Sequence, residues 1–124
     1  MGYESKLYIV EKMENGTLDE ESGKRFASII ASVELCCCDG DTVEKFRNLP
    51  ETESYIYVDG ERCVEDKYGE SLKECSIDEA IEIIQKGIVA TNNYRRYIIA
   101  QHLLYGFKLA NFNIDEIAVL HYGH

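Results

Sequence analysis

Apolar and polar residues alternate at the start of the chain. In "SKLYIVEK", Leu7 and Ile9, with Met13 beyond, fall on one side of an extended segment, and "FASIIASVELC" is β-branched and mostly apolar. Both are predicted as strands, joined by the polar loop "NGTLDEESGK" into an antiparallel hairpin. "DGDTVEKFRNLP" changes the period: Asp41 is placed to cap a helix, Glu44 follows three residues later, Val43 and Phe46 share a side, and Pro50 stops the segment. That predicts a short helix near 42–48, about two turns long. "SYIYVDGERCVED" then gives two strand-like runs around Asp59-Gly60, a dipeptide able to take the positive φ angles of a type I′ turn.

The second half reads as helix. "CSIDEAIEIIQKGIVATNN" opens with a capping box, Ser76 with Glu79, and carries Ile77, Ala80, Ile81, Ile84 and Ile88 at helical spacing, with Cys75 and Ala80 set to close a hydrophobic staple. "YRRYIIAQHLLYGFKLANF" places Ile98, Ile99, Leu103, Leu104 and Phe107 on a broad apolar stripe, and "IAVLHYGH" ends as a short β-rich segment. The expected fold class is α+β: an antiparallel sheet of about four to five strands with two main helices packed on one face, plus the short helix near 42–48, closed by a C-terminal strand. With 124 residues, 45% of them hydrophobic, the chain suits a single domain, 1–124, around one core.

Charge narrows the function. The formal net charge is −10, from 23 acidic and 13 basic residues, which disfavours nucleic acid polymers and anionic membranes as partners. No window holds the unbroken apolar stretch of a signal peptide or membrane helix, so a cytoplasmic protein is expected. The balance is uneven, however. Up to Gln85 the chain has 9 basic and 21 acidic residues, whereas Lys86, Arg95, Arg96 and Lys108 face only Asp115 and Glu116 in the rest. Positive groups surrounded by acid repel large polyanions and still hold a small anion that fits. The plain alternative is a solvated helix face.

The usual chemical signatures are missing. Gly16 and Gly23-Lys24 imitate a phosphate-binding loop, but six residues separate the glycines, where that loop has four, and Arg25 stands where its hydroxyl belongs. Dinucleotide, metalloprotease and esterase motifs are absent. The five cysteines, three of them contiguous as Cys36, Cys37 and Cys38, read as small apolar residues and suggest neither a disulfide framework nor a zinc site. A cysteine with His102 or His121 would make a nucleophilic pair, and His121 with His124 a metal site, yet both patterns lack further members. Glu11, Glu14, Asp19, Glu20 and Glu21 resemble a solvated face. The expectation is no catalytic residue, no metal, no cofactor and no enzyme.

"TNNYRRY" is the segment suited to recognition. Arginine matches phosphate oxygens with a planar fork, asparagine both donates to and accepts from a base edge, and tyrosine offers a stacking face. Asn92, Asn93, Tyr94, Arg95, Arg96 and Tyr97 are therefore the candidate ligand-binding residues. Both structure and function are open to the asparagines, because Asn also caps helices and tolerates left-handed backbone. A helix beginning at Tyr94 or Arg95 would point unpaired N–H groups at a phosphate. Arg95 and Arg96 project roughly 100° apart around such a helix, so one touches a given ligand and the other pairs with an acid or serves a neighbouring subunit.

The opening "GYESKLYIVEK", the hairpin "SYIYVDG", the segment "KYGESLKE", the interhelical "YRRY" and the closing "VLHYGH" run the length of the chain. In size, order of elements and these phrases it resembles the Thoeris anti-defence family. These are small phage proteins that bind and sequester cyclic ADP-ribose signals made by bacterial TIR-domain enzymes. The resemblance implies a sponge in the cytoplasm of the infected bacterial host, holding a cyclic ADP-ribose-type ligand without cleaving it. It also implies a homo-oligomer, a dimer or ring of dimers, with ligand between subunits, and cyclic oligonucleotides at a second site. Asn92, Asn93, Arg95 and Arg96 would contact ligand, with Tyr94 or Tyr97 stacking, and the other adjacent cations, Lys24 and Arg25, would form the second anion site.

A different class competes with this. A phage protein this acidic can mimic DNA and inhibit a nuclease, with Glu11, Glu14, Asp19, Glu20, Glu21, Asp39 and Asp41 presenting the charge. Its binding would fall steeply with ionic strength.

Overall fold

A computed structural model describes residues 4–13, 15–36, 40–90, 95–110 and 116–124. The first strand, β1 (Ser5–Lys12), pairs antiparallel with β3 (Lys24–Cys36), as the alternating pattern predicts. Their polar connection contains a further two-residue strand, β2 (Leu18–Asp19), against the start of β3. Two register shifts break the β1 to β3 ladder, leaving Ile30 and Leu35 as extra residues on β3. Such bulges bend a long strand and increase its twist.

The chain next forms α1 (Gly40–Arg47) and then β4 (Ser54–Val58), which lies parallel to β3 at Arg25↔Ser54 and Phe26↔Tyr55. This corrects the expectation of a wholly antiparallel sheet. A helix between two strands returns the chain in its original direction, so strands joined through α1 meet in parallel. Helix α1 also begins earlier than expected, with Asp41 in its first turn rather than at the cap. β4 turns into β5 (Glu61–Cys63) through Asp59 (φ 53°) and Gly60 (φ 80°), the positive pair that the sequence predicts.

Strand β6 (Lys73–Cys75) leads into α2 (Ile77–Ala90), whose start is capped as expected: the Ser76 hydroxyl accepts from the Glu79 amide at 3.1 Å. Helix α3 (Arg95–Leu109) follows, and β7 (Ile117–Gly123) completes the sheet in the order β5-β4-β3-β1-β7-β6, with β2 beside β3. Among the described residues the fold is thus α+β with three helices and a curled, mixed sheet. β7 does not close an edge; it lies between β1 and β6 and every one of its residues is buried. That placement suits its nearly unbroken apolar run.

Curling gives the sheet two cores. Leu7, Ile9, Ile117 and Val119 meet Phe46, Ile77, Ile84, Tyr97 and Leu104 beneath the helices. On the opposite face Tyr8, Val10, Leu120 and Tyr122 pack with Ile56 and Leu72, as the β4–β5 arm folds across. The inner line of α3 is Tyr97, Ala100 and Leu104. Ile99, expected in the apolar stripe, is instead 60% exposed. Tyr97 owes its place to Gly87 on α2, where a Cβ would stand 2.6 Å from the tyrosine ring. Among the described residues no helix is long and apolar enough to cross a membrane.

Candidate functional site

Of the "TNNYRRY" segment, Thr91, Asn92, Asn93 and Tyr94 lie outside the described residues. Arg95 and Arg96 open α3, both exposed to solvent. They divide as helical geometry requires. Arg96 reaches Glu34 on β3, Nη1 to Oε2 at 3.6 Å, while Arg95 has no ion pair among the described residues. Tyr97 is buried against Gly87 in the helical core, so its ring cannot stack on a ligand; the expectation of a stacking role for it is corrected.

Lys24 and Arg25 sit at the other end of β3, nine or more residues from Glu34, a span of at most about 30 Å along an extended strand from the residue that Arg96 meets. One subunit does not bring the two basic pairs together. Lys24 and Arg25 line a cleft of about 630 Å³ with Lys12, Phe26, Thr52 and Ser54 and with the carboxylates Glu51 and Glu53. That size suits a small-molecule ligand. Here too the cations divide. The Lys24 ammonium donates to Glu51 at 2.9 Å and to the Thr52 carbonyl at 2.7 Å, and only 12% of its side chain is exposed. Its hydrogen bond and charge hold the Glu51 carboxyl below the usual range. The Arg25 guanidinium donates to the Gly16 carbonyl at 3.3 Å and is otherwise directed to solvent. Arg25 is the cation this cleft can offer an anion.

Beside it stands an aromatic group that sequence reading missed. The Phe26 ring lies 5.9 Å from that of Tyr55 and 5.8 Å from that of Tyr57, and Tyr57 is 50% exposed. The alternation of Tyr55 and Tyr57 in "SYIYV" was a usable signal, but the parallel pairing that sets them next to Phe26 was not visible. Of these rings only Phe26 lines the cleft with Arg25, and a permanent cation near an aromatic face can hold both the phosphate and the ring system of a nucleotide.

The other candidates resolve differently. The acid-rich turn is not simply solvated: Arg62 pairs with Asp19 and with Glu21, and the Ser22 hydroxyl donates to Asp19 at 2.5 Å. That hydroxyl, more than Arg62, holds the Asp19 carboxyl below the usual range. His121 meets no cysteine among the described residues; its Nε2 is 2.9 Å from the Ser5 hydroxyl, and its ring stacks on Phe46. Both members of this pair are buried. His124 lies instead toward Glu4 and Glu34, at 3.8 and 3.9 Å. No group of three or more metal-binding side chains occurs among the described residues. Cys75 is buried, and burial pushes its thiol up to about 12, which leaves it as an inert apolar residue.

No protein-family model matches the chain, and neither a curated protein nor a solved structure matches it.

Proposed function

We propose that the chain is a phage-encoded sponge, which binds a cyclic ADP-ribose-type signalling nucleotide, holds it uncleaved, and so blocks a bacterial anti-phage defence. The observation that carries this reading is the cleft at Arg25, where an exposed guanidinium, backbone-anchored Lys24 and the Phe26 ring meet on a chain of net charge −10. A small phosphate-bearing molecule fits such a place; a long polyanion is repelled by the rest of the surface. Arg95 supplies the primary phosphate contact, with Arg96 beside it paired to Glu34, and the cleft is the second anion site, suited to a cyclic oligonucleotide.

The DNA-mimic reading draws less support. Asp19 and Glu21 are engaged by Arg62. Calorimetric titration with cyclic ADP-ribose isomers and cyclic dinucleotides tests the proposal. The expected result is binding that survives a rise from 0.1 to ~0.5 M salt, since a pocket is screened less than a broad charged face. Arg25→Ala should weaken the cyclic dinucleotide by about tenfold or more, as one charge-assisted contact is lost. Absence of heat with every cyclic nucleotide would remove the reading.

A further inference from the structure

A second cleft, lined by neither basic pair, lies between the β4–β5 turn and the segment that follows β5, with a volume of about 410 Å³. Its charge is uneven. Asp59, Glu61, Glu65 and Asp66 line it against Arg62 and Lys67. Asp66 is committed to the fold, since its carboxylate accepts from the Tyr68, Glu70 and Gly123 amides at 2.8, 3.0 and 3.3 Å. Arg62 is drawn off to Asp19 and Glu21. Among the described residues, no ion pair or hydrogen bond engages the side chains of Asp59, Glu61, Glu65 or Lys67. Three open carboxylates thus stand against one ammonium.

Acidity alone draws any cation. The cleft also holds Tyr122 of β7, a polar side chain only 4% exposed, whose hydroxyl has no hydrogen-bond partner among the described residues. Burial first, then Cys63, Tyr8, Asp66 and Asp59, pushes this phenol up to about 12, so it keeps its proton. Cys63, Asp66 and Asp59 are walls of the cleft, and the hydroxyl among them therefore faces it. A buried hydroxyl without a partner is unfavourable, and a ligand atom that reaches it removes the penalty. The spacing of the acids then selects the ligand. Among the described residues no three acids or thiols converge closely enough to hold one metal ion, so a compact cation cannot satisfy them together. A chain of separated charges can. Val58 and Val64, also in the walls, offer apolar surface to the stretches between those charges. We infer that this cleft binds a linear aliphatic polyamine, one terminal ammonium received by the Tyr122 hydroxyl and Asp59, the methylenes along Val58 and Val64, and the remaining ammonium groups toward Glu61 and Glu65. An ammonium has three donors and no acceptor, which matches a phenol oxygen and open carboxylates. The site is independent of the nucleotide reading.

Calorimetric titration of the purified chain with spermidine at ~0.15 M salt, where exposed charges are screened beyond a few ångströms, tests this. Tyr122→Phe keeps the ring and removes only the hydroxyl, and should weaken spermidine about tenfold or more, as one hydrogen bond to a charged group is lost. A diffuse attraction to an acidic protein would not register that change. Asp59→Asn, whose asparagine accepts the φ of 53° at this position, should weaken binding by a similar factor. Glu82→Gln on α2 removes the same charge outside the cleft and should leave the affinity as it is. Magnesium at the same concentration as spermidine should not displace it. Circular dichroism checks that each variant is folded; should Tyr122→Phe fail to fold, Asp59→Asn carries the decision. No binding at ~1 mM spermidine, wild-type affinity in a folded cleft variant, an equal loss in Glu82→Gln, or displacement by magnesium would each overturn the site.

Discussion

Replacing both Arg95 and Arg96 by alanine should reduce cyclic ADP-ribose binding by at least ~100-fold without unfolding the chain. Hydrogen bonds to charged groups contribute about 1.5–3 kcal/mol each, so losing the two that the Arg95 fork makes to a phosphate exceeds two powers of ten in affinity, while Arg96 is engaged by Glu34. The fold itself depends little on either residue. Both are exposed, and their one ion pair among the described residues, Arg96 to Glu34 at 3.6 Å, joins half-exposed partners, a kind of contact that contributes roughly 0–1 kcal/mol. Tyr97, the next residue, is the one that stabilises the helix packing, and it is left in place. Equilibrium dialysis with a thermal melt on the same preparation checks this. Unchanged ligand binding by a folded double variant would exclude the start of α3 as the site.

A fall from pH 7 to pH 4 should cost the protein about 3 kcal/mol of stability through His121 alone. Its imidazole is buried between Phe46 and Ser5, and burial lowers its pKa from the ordinary 6.5 to about 4; Arg47 and Lys73 add to this, and Glu70 opposes it. In the unfolded chain the ring takes up a proton as pH falls through 6.5, whereas in the folded chain it stays neutral until about 4. The unfolded state therefore binds more protons across that window, and stability present above pH 6.5 is lost as pH falls through it. At about 1.4 kcal/mol per pKa unit, the gap gives the figure above. Below this window Asp19 and Glu51, whose carboxyls are held below their usual range, add a further loss that is common to the wild type and the His121 variant. Urea denaturation at a series of pH values, wild type against His121→Gln, isolates the histidine. The wild-type curve should fall more steeply between pH 6.5 and 4, and parallel curves would refute the assignment.

What could be read from the sequence was chemistry settled within a few residues. The Asp59-Gly60 turn and the Ser76 cap follow from backbone preferences of the residues themselves, and the structure contains both. The β1 and β3 strands and helix α2 were legible from period alone. What escaped depends on distant partners. The parallel meeting of β3 and β4 is set by the crossover through α1, and the burial of β7 by strands that come from both ends of the chain. β2 and β6, with two and three residues, are too short to show a period. Of the stripe expected on α3, Leu103, Leu104 and Phe107 pack on the core and Ile99 does not; Tyr97 fills the inner line as well, in space that exists only through Gly87 on the neighbouring helix. At the site, the two basic pairs were visible as pairs. Which member of each is already committed, Lys24 to Glu51 and Arg96 to Glu34, depends on strands that the local sequence does not name.

The most direct measurement of the central claim is release of captured ligand. The purified protein is incubated with cyclic ADP-ribose, freed of unbound ligand by gel filtration, denatured by heat, and the supernatant resolved by chromatography. A sponge returns intact cyclic ADP-ribose in an amount close to that of the protein subunits or their dimers. Linear ADP-ribose in the supernatant, or no nucleotide at all, would contradict it.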